Sequence, residues 1–158
     1  SFLQGLKAEA ARQLNPAEAE KARRWGEWLR NAQANAQALY RAGVLLAAGT
    51  DAAYPGDMQG EGLHRELELL VEAGMTPLEA LSIATRSAAR LIGANDWGSI
   101  EAGKLATFII IDGRPDHDIS QSRRVAAVFV RGRKIDRDGL RLDRQNDPGF
   151  EAISPSDF

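Results

Sequence analysis

The sequence predicts an α/β protein, and three observations carry that reading. An unbroken apolar run, Val44 to Ala48, stands between two helical patterns. Helical stripes with clear start and stop signals fill most of the chain before Gly93. From Trp97 the texture changes to short β-prone runs separated by turn residues. The predicted order is helix, strand, helix, helix, then a β-rich part. A continuous apolar strand between helices suits a parallel sheet covered on both faces, although one such strand cannot build that sheet alone.

The first helix is predicted from "NPAEAEKARRWGEWLRNAQANAQALYRAG". Asn15 can cap it, Pro16 suits the first helical position, and Glu18 has the spacing of a capping box. Trp25, Trp28, Leu29, Ala32, Ala36 and Leu39 recur along one face; the two tryptophans could form a binding surface, but packing against a sheet is the favoured reading. Gly43 ends the helix and the chain turns strand-like. A second helix is predicted around Gly62 to Ala73, with Leu63, Leu67, Leu70 and Val71 on one side and Gly74 closing it. The third opens on a capping box, Thr76-Pro77-Leu78-Glu79, and runs to Gly93. Its apolar face is Leu78, Leu81, Ala84, Ala88 and Leu91 or Ile92.

Beyond Trp97, "GSIEAGKLATFIIIDG" reads as a turn at Glu101 to Lys104 feeding a strand from Leu105 to Asp112. "VAAVFVRGRKID" reads as two strands joined by a tight Arg131-Gly132 connection. The tail "DRQNDPGFEAISPSDF" is polar, with scattered Gly and Pro, and is expected to be loosely held.

Composition excludes several function classes. The 158 residues are 44% hydrophobic and 27% charged, which is ordinary for a globular protein. A net charge of -2 gives no electrostatic footprint for nucleic acid. The pairs Arg23-Arg24 and Arg123-Arg124 read as solvated surface. With no cysteine there is neither a disulfide framework nor a thiolate metal site. That fits a reducing compartment, and a cytoplasmic location is expected. No apolar stretch approaches the ~20 residues of a membrane span, and the first residues lack the pattern of a signal peptide.

The residue of most chemical interest is Asp51, set where the apolar run gives way to its loop in "GVLLAAGTDAAYPGD". In parallel α/β architectures functional groups gather at the carboxyl ends of strands. A carboxylate there can ligate a cation, accept a proton from an activated water, or cap the following turn. Spacing alone favours the cap. Tyr54 and Asp57 share the loop and could line a pocket. "DMQGEG" has acidic spacing but neither the length nor the ligand pattern of an EF-hand loop.

The stretches "AGVLLAAGTDA", "LHRELELLVEAGMTPLEALSIATRSAARLIG", "GSIEAGKLATFIIIDGRP" and "VFVRGRKI" together resemble the carboxyl-terminal part of a metal-dependent amidohydrolase, in the imidazolonepropionase-like branch. The resemblance covers roughly residues 1 to 137. It implies the carboxyl-terminal part of a distorted (β/α)8 barrel plus strands of a small β-sandwich. Residues 1–93 would be the last β/α units, 94–137 the sandwich strands, and 138–158 a polar tail. Gly43 to Thr50 would be the eighth strand, and Asp51 would match the family aspartate that contacts the metal and takes a proton from the attacking water. A divalent metal, zinc by family expectation, would serve the complete enzyme, with a small amide as substrate.

The family's other ligands, a His-x-His pair, a midway lysine or acidic bridge and two later histidines, have no counterpart here. The chain has two histidines, His64 and His117, and neither matches those positions. The chain is therefore expected to be about the last third of an enzyme, silent alone and without bound metal, because zinc takes about three protein ligands plus water. The missing amino-terminal part, or self-association, would cover its apolar surface. The alternative is a non-catalytic module or assembly fragment. His64, in "GLHREL", is a candidate substrate contact beside the simpler reading of a locally bonded helix-start histidine. His117 reads as surface.

Overall fold

The computed structural model describes residues 15–52 and 59–139. Helix α1 spans Pro16–Arg41, α2 Glu61–Glu72 and α3 Pro77–Ser82; a π-helical segment, Ile83–Ser87, then leads into α4, Ala88–Leu91. Strand β1 is Phe108–Ile111; a 3-10 turn, Ile119–Arg123, precedes β2, Val125–Val130, and β3, Arg133–Lys134.

The helix starts follow from local chemistry. The Asn15 side chain accepts from the N–H groups of Ala17 and Glu18, and Glu18 accepts from the Asn15 N–H at 2.9 Å. Thr76 and Glu79 close the same reciprocal box on α3, with the Thr76 N–H donating to Glu79 at 2.7 Å. Each box satisfies backbone donors that a helix cannot satisfy itself. Helix α2 has no such device. It follows Gly60, whose φ is +86°, and has no side-chain cap.

The core is small. Leu67 of α2, Ala80 of α3 and Ile119 of the 3-10 turn form its buried cluster, with Leu70, Val71, Leu81 and Ala84 packed around them. Ile83 and Met75 are also buried. The expected single helix to Gly93 is interrupted at Ile83–Ser87, where the Thr85 hydroxyl donates to the Leu81 carbonyl at 2.7 Å. Such back-bonding offers the backbone an alternative partner and commonly bends a helix.

The three strands form an antiparallel sheet in the order β1-β2-β3. Phe108 pairs with Phe129, and their rings stack at 4.8 Å between centroids. The ladder shifts between Ile110 and Ile111, so that Ala126 is the extra residue of a bulge. Arg131 and Gly132 both have positive φ, 49° and 79°, as the predicted tight connection requires.

Two expectations are not met among the described residues. Residues 44–52 lie in no ladder among the described residues, and Val44 and Leu45 are exposed. A strand buried on both faces needs flanking strands, and no parallel neighbour is found among these residues. The stripe on α1 does not pack against a sheet either. Trp25 and Trp28 are more than half exposed and meet each other edge to face at 5.0 Å.

Candidate functional site

The apolar run delivers Asp51 in an unusual backbone state. Among the described residues only Asp51 and Arg131 combine a side chain with positive φ. Arg131 is explained by its hairpin turn. Asp51, at φ 50°, belongs to no hairpin among the described residues. Left-handed backbone costs a residue with a Cβ roughly 1–2 kcal/mol, least for Asp and Asn. Unexplained outliers of this sort gather at functional sites.

The neighbouring hydrogen bond bears on the capping alternative. The Ala52 N–H donates to the Thr50 hydroxyl at 3.2 Å. Thr50 therefore closes this turn, and no described residue hydrogen-bonds to or ion-pairs with the Asp51 carboxylate. Asp51 is exposed. Tyr54 and Asp57 lie outside the described residues.

His64 is committed elsewhere. Its Nδ1 lies 2.9 Å from Oγ of Ser122, 58 positions along the chain and only 2% exposed. The bond is long-range, unlike the local one expected of a helix-start histidine, and it leaves only Nε2 for any further contact. His117 is exposed and sits against Asp116 at 3.3 Å and against Arg114, in line with the surface reading.

Sequence reasoning missed a polar cluster around Arg123. Read as solvated surface, Arg123 donates from Nε to Glu61 at 2.7 Å and from a guanidinium nitrogen to Glu68. Glu68 also accepts from Arg65 at 3.1 Å. Burial raises the Glu68 carboxyl, but hydrogen bonds and charge from Arg123 and Arg65 outweigh it and hold the group below the ordinary glutamate value of 4.5. The spacing 61, 64, 68 marks one polar face of α2 and was the available signal. Its partner lies about 60 residues away, where spacing says nothing. Arg124 is also paired, to Asp112 at 3.0 Å.

An apolar groove of about 920 Å³ runs between α3–α4 and the sheet, lined among others by Leu81, Ile92, Trp97, Phe108 and Phe129. Neither Asp51 nor His64 lines it.

Among the described residues no three His, Cys, Asp or Glu side chains come together to hold a metal ion. Asp51 offers one hard oxygen donor, so the described residues do not fit a complete zinc site.

The described residues combine helices with a small antiparallel sheet, and solved amidohydrolase structures share this layout over part of their length. The chain belongs to the amidohydrolase family, whose model matches residues 8–135. It is 38% identical over 117 residues to the imidazolonepropionase of Shouchella clausii, an alignment covering 70% of this chain and 26% of that protein. A 5-methylthioadenosine/S-adenosylhomocysteine deaminase of Bacillus cereus is 36% identical over 86 residues, covering 50% of this chain and 20% of the relative. Among solved structures, a Xaa-Pro dipeptidase with methionine bound in its active site matches with a TM-score of 0.61 at 33% identity, over 81% of this chain and 31% of that one. Phenylurea hydrolase B matches with a TM-score of 0.59 at 34% identity, over 68% and 26% of the two chains. The chain thus spans about a quarter of the curated relative it matches over 117 residues. No helix among the described residues is long and apolar enough to cross a membrane.

Proposed function

We propose that these residues are the carboxyl-terminal part of a metal-dependent hydrolase acting on C–N bonds of amides, cyclic amides or dipeptide-like substrates. Asp51 is its proton-handling carboxylate. The observation that carries this reading is that Thr50, not Asp51, closes the local turn, leaving an exposed residue at left-handed φ whose carboxylate has no partner among the described residues. Likeness to an imidazolonepropionase and to a Xaa-Pro dipeptidase supports the substrate class.

A divalent metal, zinc by family resemblance, would supply an activated water and carbonyl polarisation when bound. Most of its ligands would come from outside this chain, and Asp51 would contribute one. The work assigned to Asp51 is to orient the water, accept its proton and return it to the departing nitrogen. We place the division between barrel and sandwich parts at residues 93 and 94, with residues 138–158 as an appended tail. The lack of cysteine fits work in the cytoplasm.

The test is Asp51→Asn in the complete enzyme. Asparagine tolerates positive φ, so the fold should hold while turnover falls by about 10²–10⁴-fold, with metal content largely kept. Near-wild-type turnover sinks the assignment. A second reading, an assembly fragment without catalysis, draws on the exposure of Leu78, Ile92 and Ile100. Sedimentation of the 158-residue chain separates the two. A well-behaved, inactive monomer that gains no activity with the rest of the enzyme would favour the non-catalytic module.

A further inference from the structure

Residues 50–52 form a turn closed around Asp51. The Thr50 hydroxyl accepts from the Ala52 N–H at 3.2 Å, and among the described residues no other group takes that N–H. Asp51 is the residue this contact encloses. A side-chain oxygen that accepts from the N–H two residues on imitates a backbone turn, with the enclosed residue at the third position. Turn types with positive φ at that position normally carry Gly or Asn there; here Asp51 stands at φ 50°.

Exposure divides the three residues. Thr50 and Ala52 are half-buried, whereas Asp51 between them is exposed. Thr50 is β-branched, so few rotamers are open to it and its hydroxyl is held near one direction. One net hydrogen bond and the cost of left-handed backbone at one residue are of the same order. Removing the hydroxyl therefore takes away the support for this state that lies within the turn. Asp51 then relaxes to the negative φ that residues with a Cβ prefer, which swings its Cα–Cβ bond and re-aims the carboxylate.

We infer that Thr50 is the positioning residue of the Asp51 centre: its hydroxyl, by accepting from the Ala52 N–H, keeps Asp51 left-handed and so sets the direction of the carboxylate. This rests on the role proposed for Asp51. Thr50 needs no contact with substrate for this duty, because it acts through its neighbour. A misaimed reacting group can cost about 10²-fold in rate.

The test compares Thr50→Val, Thr50→Ser, Asp51→Asn and the Thr50→Val/Asp51→Asn double variant in the complete, metal-loaded enzyme. Thr50→Val keeps the branched shape and loses the acceptor. It should lower kcat by about ten- to a hundredfold, move KM by less than about threefold and leave metal content unchanged. Exchange of the Ala52 amide should quicken. Thr50→Ser, which keeps the oxygen, should recover most of the lost turnover. In the Asp51→Asn background Thr50→Val should cost less than about threefold more, since residues that act as a unit are not additive. Full kcat in Thr50→Val would overturn the positioning, and so would equal losses in both backgrounds. Lost kcat with unchanged Ala52 exchange, or Thr50→Ser as slow as Thr50→Val, would overturn it too. Should Thr50→Val fail to fold, Thr50→Ala decides by the same readouts. Turnover near wild type in Asp51→Asn would instead sink the role of Asp51, whatever Thr50→Val does.

Discussion

Gly98→Ala tests the tightest approach between the π segment and the turn that leads to the sheet. An ideal Cβ at Gly98 would stand 2.4 Å from the Ala89 Cβ, 3.1 Å from the Thr85 carbonyl oxygen and 3.4 Å from the Arg86 Cα. None of these is the end of a flexible side chain, so the turn itself must shift. Gly98 also has φ +88°. The left-handed backbone costs alanine about 1–2 kcal/mol, and overpacking a close contact adds about 1–3 kcal/mol. The expected loss is therefore about 2–5 kcal/mol. Gly103→Ala is the control, because Gly103 has φ +87° but nothing within 4 Å. It should show only the backbone part. Urea unfolding followed by far-ultraviolet circular dichroism measures both, and at about 1–3 kcal/mol per molar urea the two midpoints should separate by about 1 M. Equal losses in the two variants would refute the claim that the π segment and this turn are in close contact.

The other expectations concern the contacts around α2. Ser122→Ala should cost about 1 kcal/mol, and His64→Ala more, because it strands a buried hydroxyl; a double-mutant cycle should return about 1 kcal/mol of coupling. Additive effects would mean that the pair is not formed. Acid should loosen the same region. Glu68 and Glu79 both have lowered folded values, Glu68 through Arg123 and Arg65 against burial, Glu79 chiefly through the backbone and side chain of Thr76. The unfolded chain then holds those protons more tightly, so stability is full above about pH 4.5 and drains as pH falls through the lowered folded values. Glu68→Gln should flatten that acid limb, and an unchanged limb would count against the pairing.

Local chemistry was legible in the sequence. Both capping boxes form as their spacing required, and the Arg131-Gly132 connection adopts the positive φ pair that a two-residue hairpin needs. Each depends on a handful of adjacent residues. The run Val44 to Ala48 showed the opposite limit. Its composition states a need for burial, but a ladder depends on neighbouring strands, and these do not lie among the described residues. The 3-10 turn at Ile119–Arg123 carries no periodic signal in five residues, so its place in the core was invisible. Arg123 read as surface because charge along the chain says nothing of a glutamate 55 or 62 positions away. At the candidate site the position of Asp51 was readable, whereas its freedom from the local turn was not. That freedom depends on Thr50 being the acceptor.

The bulge in the sheet has a consequence for how this chain can vary in length. Because strand side chains alternate between faces, the additional residue at Ala126 inverts the parity of everything before it relative to Val128 and Phe129. Removing that residue would straighten the ladder and swing the preceding segment by half a repeat, carrying Ser122 and Arg123 away from α2. Deletions and insertions between 122 and 127 should therefore be poorly tolerated even where no single side chain is lost, whereas the exposed Glu101–Lys104 turn can absorb them.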